Sequence, residues 1–317
     1  MSGFTTGTND HLIRSNLWSN QLKEVLLDEL MGTRYVDMIT DFPDGDTINI
    51  PSIGQAEVAD YVEDQQVRYT AMDTGNFTFS IDQYKSSATY ITNRMKQDSM
   101  YMDRLVASFV PKQNRAIMKA MEAKILSVGP DGQTASDTNT INGAYHRFVA
   151  GGTGNVISVT DFAKALYALK KANVPTTNLV AVVDPSVEYT INTITNITNV
   201  SNNPQWEGIV ASGISSGMRF LKNIYGFDVY VSQNLKTGIS ETVNSVSVTN
   251  GAANLFFSAA SDVLPIVGLL RQPPKVDSEY NKDRQREEYV TTCRYGFKLY
   301  RPENMVTVIS DTSKVYS

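Results

Sequence analysis

Asn76-Phe77-Thr78-Phe79-Ser80-Ile81-Asp82 alternates apolar and polar side chains with a period of two, the pattern of a strand with one buried face. Thr47-Ile48-Asn49-Ile50 is its natural partner arm. Together they predict a long two-stranded hairpin over residues 46–91. Residues 55–75, between the arms, carry Glu57, Asp60, Glu63, Asp64 and Asp73 against the single base Arg68, a composition too acidic for a core. A hairpin that outgrows its own core needs another surface to lie on.

Directly after it, Met100, Leu105, Val106, Phe109, Ile117, Met118, Met121, Ile125 and Leu126 recur at helical spacing. Asp98 or Ser99 is placed to cap this helix. About 30 residues of helix span about 45 Å. Pro111 lies in the middle, where a missing N–H predicts a kink or a split. Residues 94–124 hold seven bases (Arg94, Lys96, Arg104, Lys112, Arg115, Lys119, Lys124) against Asp98, Asp103 and Glu122. The hairpin tip is acidic and the helix beside it basic.

Upstream, residues 1–15 are polar and patternless. Ser15 or Asn16 then caps a helix with Leu17, Leu22, Val25, Leu26 and Leu30 on one stripe and Gly32 as its stop. Downstream, residues 128–155 are rich in Gly, Asn, Thr, Asp and Ser and read as a connection with one short strand near 145–149. An α/β texture follows. Ser158 or Thr160 starts a helix through Lys171, Leu179-Val180-Ala181-Val182-Val183 is an apolar strand, and Asp184-Pro185-Ser186 opens another helix. Residues 218–223 read as helix and 227–231 as strand, with further strands at 245–249 and 254–258. Gln272-Pro273-Pro274 reads as an exit from this unit, and the charged run 279–288 as a solvated turn or loop. Two final strands, 289–300 and 305–309, are joined across Arg301-Pro302-Glu303 and return to the long helix.

The composition bounds the function. The 317 residues, 41% hydrophobic, bury a real core in one large or two modest domains. No apolar run approaches the roughly 20 residues that span a bilayer, and the start lacks the order of a signal peptide, so synthesis in the cytoplasm and no membrane partner are expected. Cys293 is the single cysteine, which excludes an intrachain disulfide and a multi-cysteine zinc site. The net charge of −5 provides no global field for nucleic acid. The two histidines, His11 and His146, have no metal spacing, and no nucleophile elbow, Walker loop or dinucleotide fingerprint is present. Gly151-Gly152-Thr153-Gly154 lacks the lysine of a phosphate loop. No catalytic, cofactor or metal site is therefore expected. His146 beside Arg147 reads as an ordinary strand position rather than a phosphate contact. Trp18 and Trp206 read as core residues or interface anchors.

The order arm, long two-stranded loop, long helix, α/β unit and returning strands resembles the major capsid proteins of tailed bacteriophages, with the HK97-type α+β fold. Five phrases carry the resemblance. Asp44-Gly45-Asp46-Thr47-Ile48-Asn49-Ile50-Pro51 starts the extended loop, and Arg115-Ala116-Ile117 through Glu122 lies in the spine helix. Val183-Asp184-Pro185 and Ile224-Tyr225-Gly226-Phe227-Asp228-Val229-Tyr230-Val231-Ser232 fall in the apical domain. Tyr295-Gly296-Phe297-Lys298-Leu299-Tyr300-Arg301-Pro302-Glu303 falls in the last hairpin. The resemblance implies an N-terminal arm and helix over 1–45, an extended loop hairpin over 46–91, and a peripheral domain with the spine helix over 92–155. An apical domain over 156–271 and return strands of the peripheral domain over 272–317 complete it.

It further implies a shell subunit that self-assembles as hexamers and pentamers into an icosahedral head enclosing the phage genome. Expected partners are a portal, a scaffolding protein separate from the chain because residues 1–45 are too few to hold one, and a decoration protein. Packaged double-stranded DNA would be met nonspecifically. In the family the extended loop lies over a neighbour's spine-helix domain, so Glu57, Asp60, Glu63 and Asp64 are expected to meet bases such as Arg104 or Arg115 of another copy, with Arg68 and Trp18 as further interface candidates. Some members crosslink a loop lysine to a neighbour. Lys85, the only lysine of residues 46–91, sits at the base of the loop, so no such link is expected.

Three other readings compete. The same fold serves as an encapsulin-like nanocompartment shell with a cargo-peptide groove. A soluble hydrolase would use a carboxylate pair such as Asp60 and Glu63, although exposed acids lack the desolvation that tunes a general acid. A virion adhesin would show repeats or heptads, and neither appears.

Overall fold

A computed structural model describes residues 30–39, 47–53, 60, 63–64, 66, 74–98, 102–133, 139–193 and 220–313. The chain enters through a short 3₁₀ turn, Gly32–Tyr35, and strand β1, Val36–Ile39. The extended loop follows as β2, Thr47–Ile53, and β3, Thr74–Ser80. These pair antiparallel from Thr47↔Ser80 to Ile53↔Thr74, the pairing that the alternation predicts. The next strand, β4 (Gln83–Thr92), leaves the ribbon. It pairs along its length with a strand from the end of the chain, so the ribbon proper is shorter than the predicted hairpin.

Helix α1, Asn93–Asp98, and the spine helix α2, Met102–Gly132, come next. The spine runs unbroken through Pro111 and Pro130, so of the kink or split expected at Pro111 the split does not occur. Each proline forfeits one backbone bond. The buried stripe Ile117, Met121, Ile125, Leu126 and Val128 holds the helix in register. Met121 is buried on this stripe and Met118 is exposed. A small hairpin of β5 (Thr140–Ile141) and β6 (Ala144–Tyr145) leads to β7, Arg147–Val149.

Helix α3, Val159–Lys171, starts at the predicted Ser158, whose side chain and Asp161 form a reciprocal capping box. Strand β8, Leu179–Val183, and helix α4, Pro185–Thr193, stand as predicted. Residues 220–223, part of the run 218–223 expected to be helical, lie in strand β9 (Phe220–Ile224), joined to β10 (Phe227–Val231) by a two-residue turn. Tyr225 and Gly226 both have positive φ, 51° and 85°, which is the type I′ hairpin geometry. Strand β11, Ile239–Val243, precedes β12, Val246–Ser258, one strand where two were expected. Strand β13, Ile266–Asn281, runs through Pro273-Pro274, which were expected to end the unit. Register shifts at Leu270/Gln272 and Gln272/Lys275 absorb the residues that cannot donate. The charged run becomes the tip of a hairpin with β14, Arg286–Leu299. The last strand, β15 (Val306–Asp311), does not pair with β14 but joins another sheet.

Two sheets organise the molecule. One has the order β1-β13-β14-β4, the other β7-β15-β12-β8-β10-β9 with β11 paired to β12. In the larger sheet Ala181 and Val183 of β8 pack with Phe162, Ala165 and Leu169 of α3, while Val180 and Val182 pack with the α2 side. Coverage on both faces is why β8 is apolar throughout. The spine helix is shared, because the same cluster takes in Cys293, Tyr295 and Phe297 of the smaller sheet. On that sheet's other face Val267 and Leu269 pack against Phe77, Phe79 and Ile48 of the ribbon.

Candidate subunit interface

The ribbon's root is clamped to the smaller sheet. The Phe77 and Tyr300 rings meet edge to face at 5.1 Å. Lys298 sits 4.8 Å from the Phe77 centroid and donates to the Thr78 carbonyl at 2.8 Å. The chain can approach this closely because position 296 is glycine: a Cβ there would lie 3.0 Å from the Ser80 oxygen and 3.1 Å from the Ile81 Cα. Lys124 of the spine pairs with Asp82 at 3.8 Å, where β3 passes into β4.

Beyond this root, Asp60, Glu63 and Asp64 are exposed, Asp64 with φ 65°. Arg115 is half-buried on α2, and no ion pair joins it to these acids within one chain. Glu57, Arg68 and Trp18 lie outside the described residues, as do Trp206, His11 and the side chain of Arg104. The structure therefore leaves Asp60, Glu63 and Asp64 apart from Arg115, while Lys124 of the spine pairs with Asp82 at the loop's root.

A second exposed surface was not anticipated. β4 is an edge strand, and Tyr84 and Tyr90 stand on its outer side, 66% and 58% exposed. The Arg286 guanidinium lies 4.4 Å over the Tyr90 ring and is held by Glu288 at 2.6 Å. The signal was present as the alternation Tyr84, Ser86, Ala88, Tyr90. It was hidden by the assignment of this stretch to the loop hairpin.

Two buried charges hold the scaffold behind these surfaces. The Glu122 carboxylate accepts the backbone N–H groups of Met31 at 3.0 Å and Gly32 at 2.6 Å, so the incoming chain is tied to the spine. Burial pushes its pKa up in spite of those bonds. The Arg147 guanidinium donates to the carbonyls of Pro130 at 2.9 Å and Gln133 at 2.7 Å and pairs with Glu241 at 2.6 Å. It thereby closes the C-terminal end of the spine helix against β7 and β11. Neighbouring His146 is buried, with Nδ1 3.1 Å from the Ala144 oxygen, and desolvation holds its pKa down. It is packed in the bend between β6 and β7 rather than within a strand as expected. Cys293 is buried with its thiol 3.2 Å from the Gln272 carbonyl, and burial raises its pKa. Among the described residues no cluster of His, Cys, Asp or Glu is placed to hold a metal ion, and no helix is long and apolar enough to cross a membrane.

A family model described as phage capsid protein matches residues 76–308. Solved structures share the fold. The capsid structure of cyanophage P-SCSP1u is 14% identical, with a TM-score of 0.73 over 96% of this chain and 94% of that one. A chain of Mycobacterium phage Che8 is 17% identical, with a TM-score of 0.67 over 94% and 97%. The cyanophage Pam1 capsid is 13% identical, with a TM-score of 0.65 over 99% and 100%. At these identities the likeness is one of fold. No curated protein matches by sequence. The family match spans well over half of the chain and covers the ribbon's second strand, the spine helix and both sheets, so this chain belongs to the phage capsid protein family, as a shell-forming major capsid protein of the tailed-phage type with the HK97-type fold.

Proposed function

We propose that copies of this chain join as hexamers and pentamers and close an icosahedral head around a phage genome, with the acidic tip of each extended loop resting on the spine-helix domain of a neighbour. The observation that carries this reading is the contrast within the loop. Its root is fixed by Gly296, Phe77 and Lys298, while Asp60, Glu63 and Asp64 are exposed and unpaired to Arg115 in the same chain. A loop held at its base, whose described acids are exposed, suits contact with another molecule. Exposed ion pairs contribute about 0 to 1 kcal/mol each, so their value lies in register and in repetition over many contacts.

The chain's place is the virion capsid. Synthesis in the host cytoplasm, a separate scaffolding protein, a portal and a decoration protein complete the proposed life of the shell. The basic side chains Lys112 and Arg115, on the outward part of α2, suit either a neighbour's acids or nonspecific contact with packaged DNA. The role is structural, without catalysis: the described acids of the loop are exposed, and His146 is enclosed in the core.

Light scattering with negative-stain microscopy tests the proposal on the full chain, alone and with its scaffold. Closed or aberrant shells of tens of nanometres are expected. A stable monomer or small oligomer under both conditions would refute it, and shells that capture a cargo enzyme rather than DNA and a portal would make the chain a nanocompartment shell instead.

A further inference from the structure

The six-strand path of the larger sheet ends on β7 at one edge and β9 at the other, about 24 Å apart at the usual spacing of strands.

At the β7 edge a cavity of about 580 Å³ opens between the β5–β6 turn, β7 and its following loop, α3 and the β11–β12 turn. Its walls include Tyr145, Phe148, Tyr167 and Val246, with Lys164 and Asn155 as polar groups. Tyr145, Tyr167 and Val246 are 52%, 55% and 43% exposed. Large apolar side chains left in water around a concavity mark a place where something docks. Lys164 lies 5.9 Å from the Phe148 centroid and 3.4 Å from Asp161, and its ammonium has donors to spare for an incoming oxygen.

On the β9 side of the sheet the turn at the end of the β9–β10 hairpin presents Tyr225, 53% exposed. Just behind the turn Asn223 donates to Asp228 across the hairpin at 2.8 Å, so the tyrosine stands on a stiffened tip. A phenol ring is well within the size of the cavity, finds aromatic walls there and offers its hydroxyl to Lys164 or Asn155. Asp228 beside the tip and Lys164 in the cavity also have opposite charges.

A hairpin tip beyond the ends of β9 and β10 and a cavity beside β7 are different surfaces of one subunit, so a contact between them is heterologous, repeats head to tail and closes into a ring when the rotation permits. We infer that Tyr225 of one copy enters the Tyr145–Phe148–Tyr167 cavity of the next copy around each capsomer, an inference that rests on the proposed assembly into hexamers and pentamers. The occupant of the cavity is thus a second copy of this chain, and the buried tyrosine is the anchor of the contact.

Two full-length variants test it. Tyr225→Asn keeps a residue that tolerates the left-handed turn and removes the ring. It is expected to leave the circular dichroism and melting of the unassembled chain unchanged and to raise the concentration needed for shell formation about tenfold or more. In the second, Tyr225→Cys with Tyr167→Cys, oxidation of assembled shells is expected to give a covalent ladder ending at hexamer and pentamer. Each single cysteine variant should give none, because native Cys293 is buried. Shells from Tyr225→Asn at the wild-type concentration, or shells of the double variant that give no ladder, would overturn this contact while leaving the capsid reading intact. A wild-type chain that forms no shells would overturn both.

Discussion

Glu122 shows how far one residue's meaning depends on its surroundings. In the chain it is one of three acids in a basic stretch; in the fold it is buried and accepts two backbone N–H groups from residues 31 and 32. Gly32, expected to stop a helix, is required for this approach, because a Cβ there would lie 2.6 Å from the carboxylate. Tyr35, on the same incoming turn, is pushed up to about 12, chiefly by burial, with the charges of Tyr230, Asp228 and Glu122 adding to the rise and Arg34 opposing it. Desolvation raises the Glu122 pKa, so the folded chain holds this proton to higher pH than the unfolded chain does. Its contribution to stability is full below the ordinary carboxylate range and is lost as the pH rises through the raised value. Thermal unfolding of the unassembled protein from about pH 4 to about pH 8 checks this. The stability of wild type relative to Glu122→Gln is expected to increase as the pH falls, and a difference that does not vary with pH would refute the assignment. Arg147 is the counterpart at the far end of the spine. Its place beside His146 in a short strand hinted at a polar role, but its targets, two carbonyls and Glu241, lie 14, 17 and 94 residues away in the chain. Spacing along a sequence carries no trace of such partners.

At the scale of elements, the local signals that held were those whose cause is local. Ser158 and Asp161 cap α3 through their own backbone neighbours, and the alternation of 76–82 makes a strand whichever sheet receives it. The signals that failed were those a tertiary contact overrides. Pro111 leaves the spine helix whole, Pro273-Pro274 lies within a strand by way of register shifts, and 220–224 becomes a strand because the Tyr225–Gly226 turn folds it against β10. Gly296 belongs to this scale, since it lets the ribbon's root lie on β14. Gly296→Ala places a methyl group against Ser80 and Ile81 backbone that cannot move independently of the strand. A loss of about 1–3 kcal/mol is expected on chemical denaturation, together with faster hydrogen exchange in β2 and β3. Unchanged exchange there would show that the root is not held by this contact.

Over the whole molecule the spine helix serves two sheets at once, one through Val180, Val182 and Leu255, the other through Cys293, Tyr295 and Phe297. The proposed loop contact between copies is electrostatic and exposed, which sets its dependence on salt: screening beyond about 10 Å at 0.1 M ionic strength weakens it. Glu63→Lys with Asp64→Lys is expected to block or misdirect assembly while leaving the monomer's melting within about 0.5 kcal/mol of wild type. Adding Arg115→Glu should recover part of the yield of shells if Arg115 receives the tip. Normal shells from the charge-reversed loop, by electron microscopy, would remove the acids from the interface.

The sequence alone determined the order of the parts, the ribbon, the spine, the capped helices, the apolar strand and the contrast between an acidic loop and a basic helix, because each follows from periodicity, capping chemistry or composition within a short stretch. The tertiary structure alone decided that β4 pairs with β14, that β15 crosses to the other sheet, that Glu122 and Arg147 are buried fasteners, and that a cavity beside β7 and an exposed tyrosine at the β9–β10 turn belong to one sheet. These depend on which distant segments share a face, and a strand's pattern states that one side is buried without stating against what.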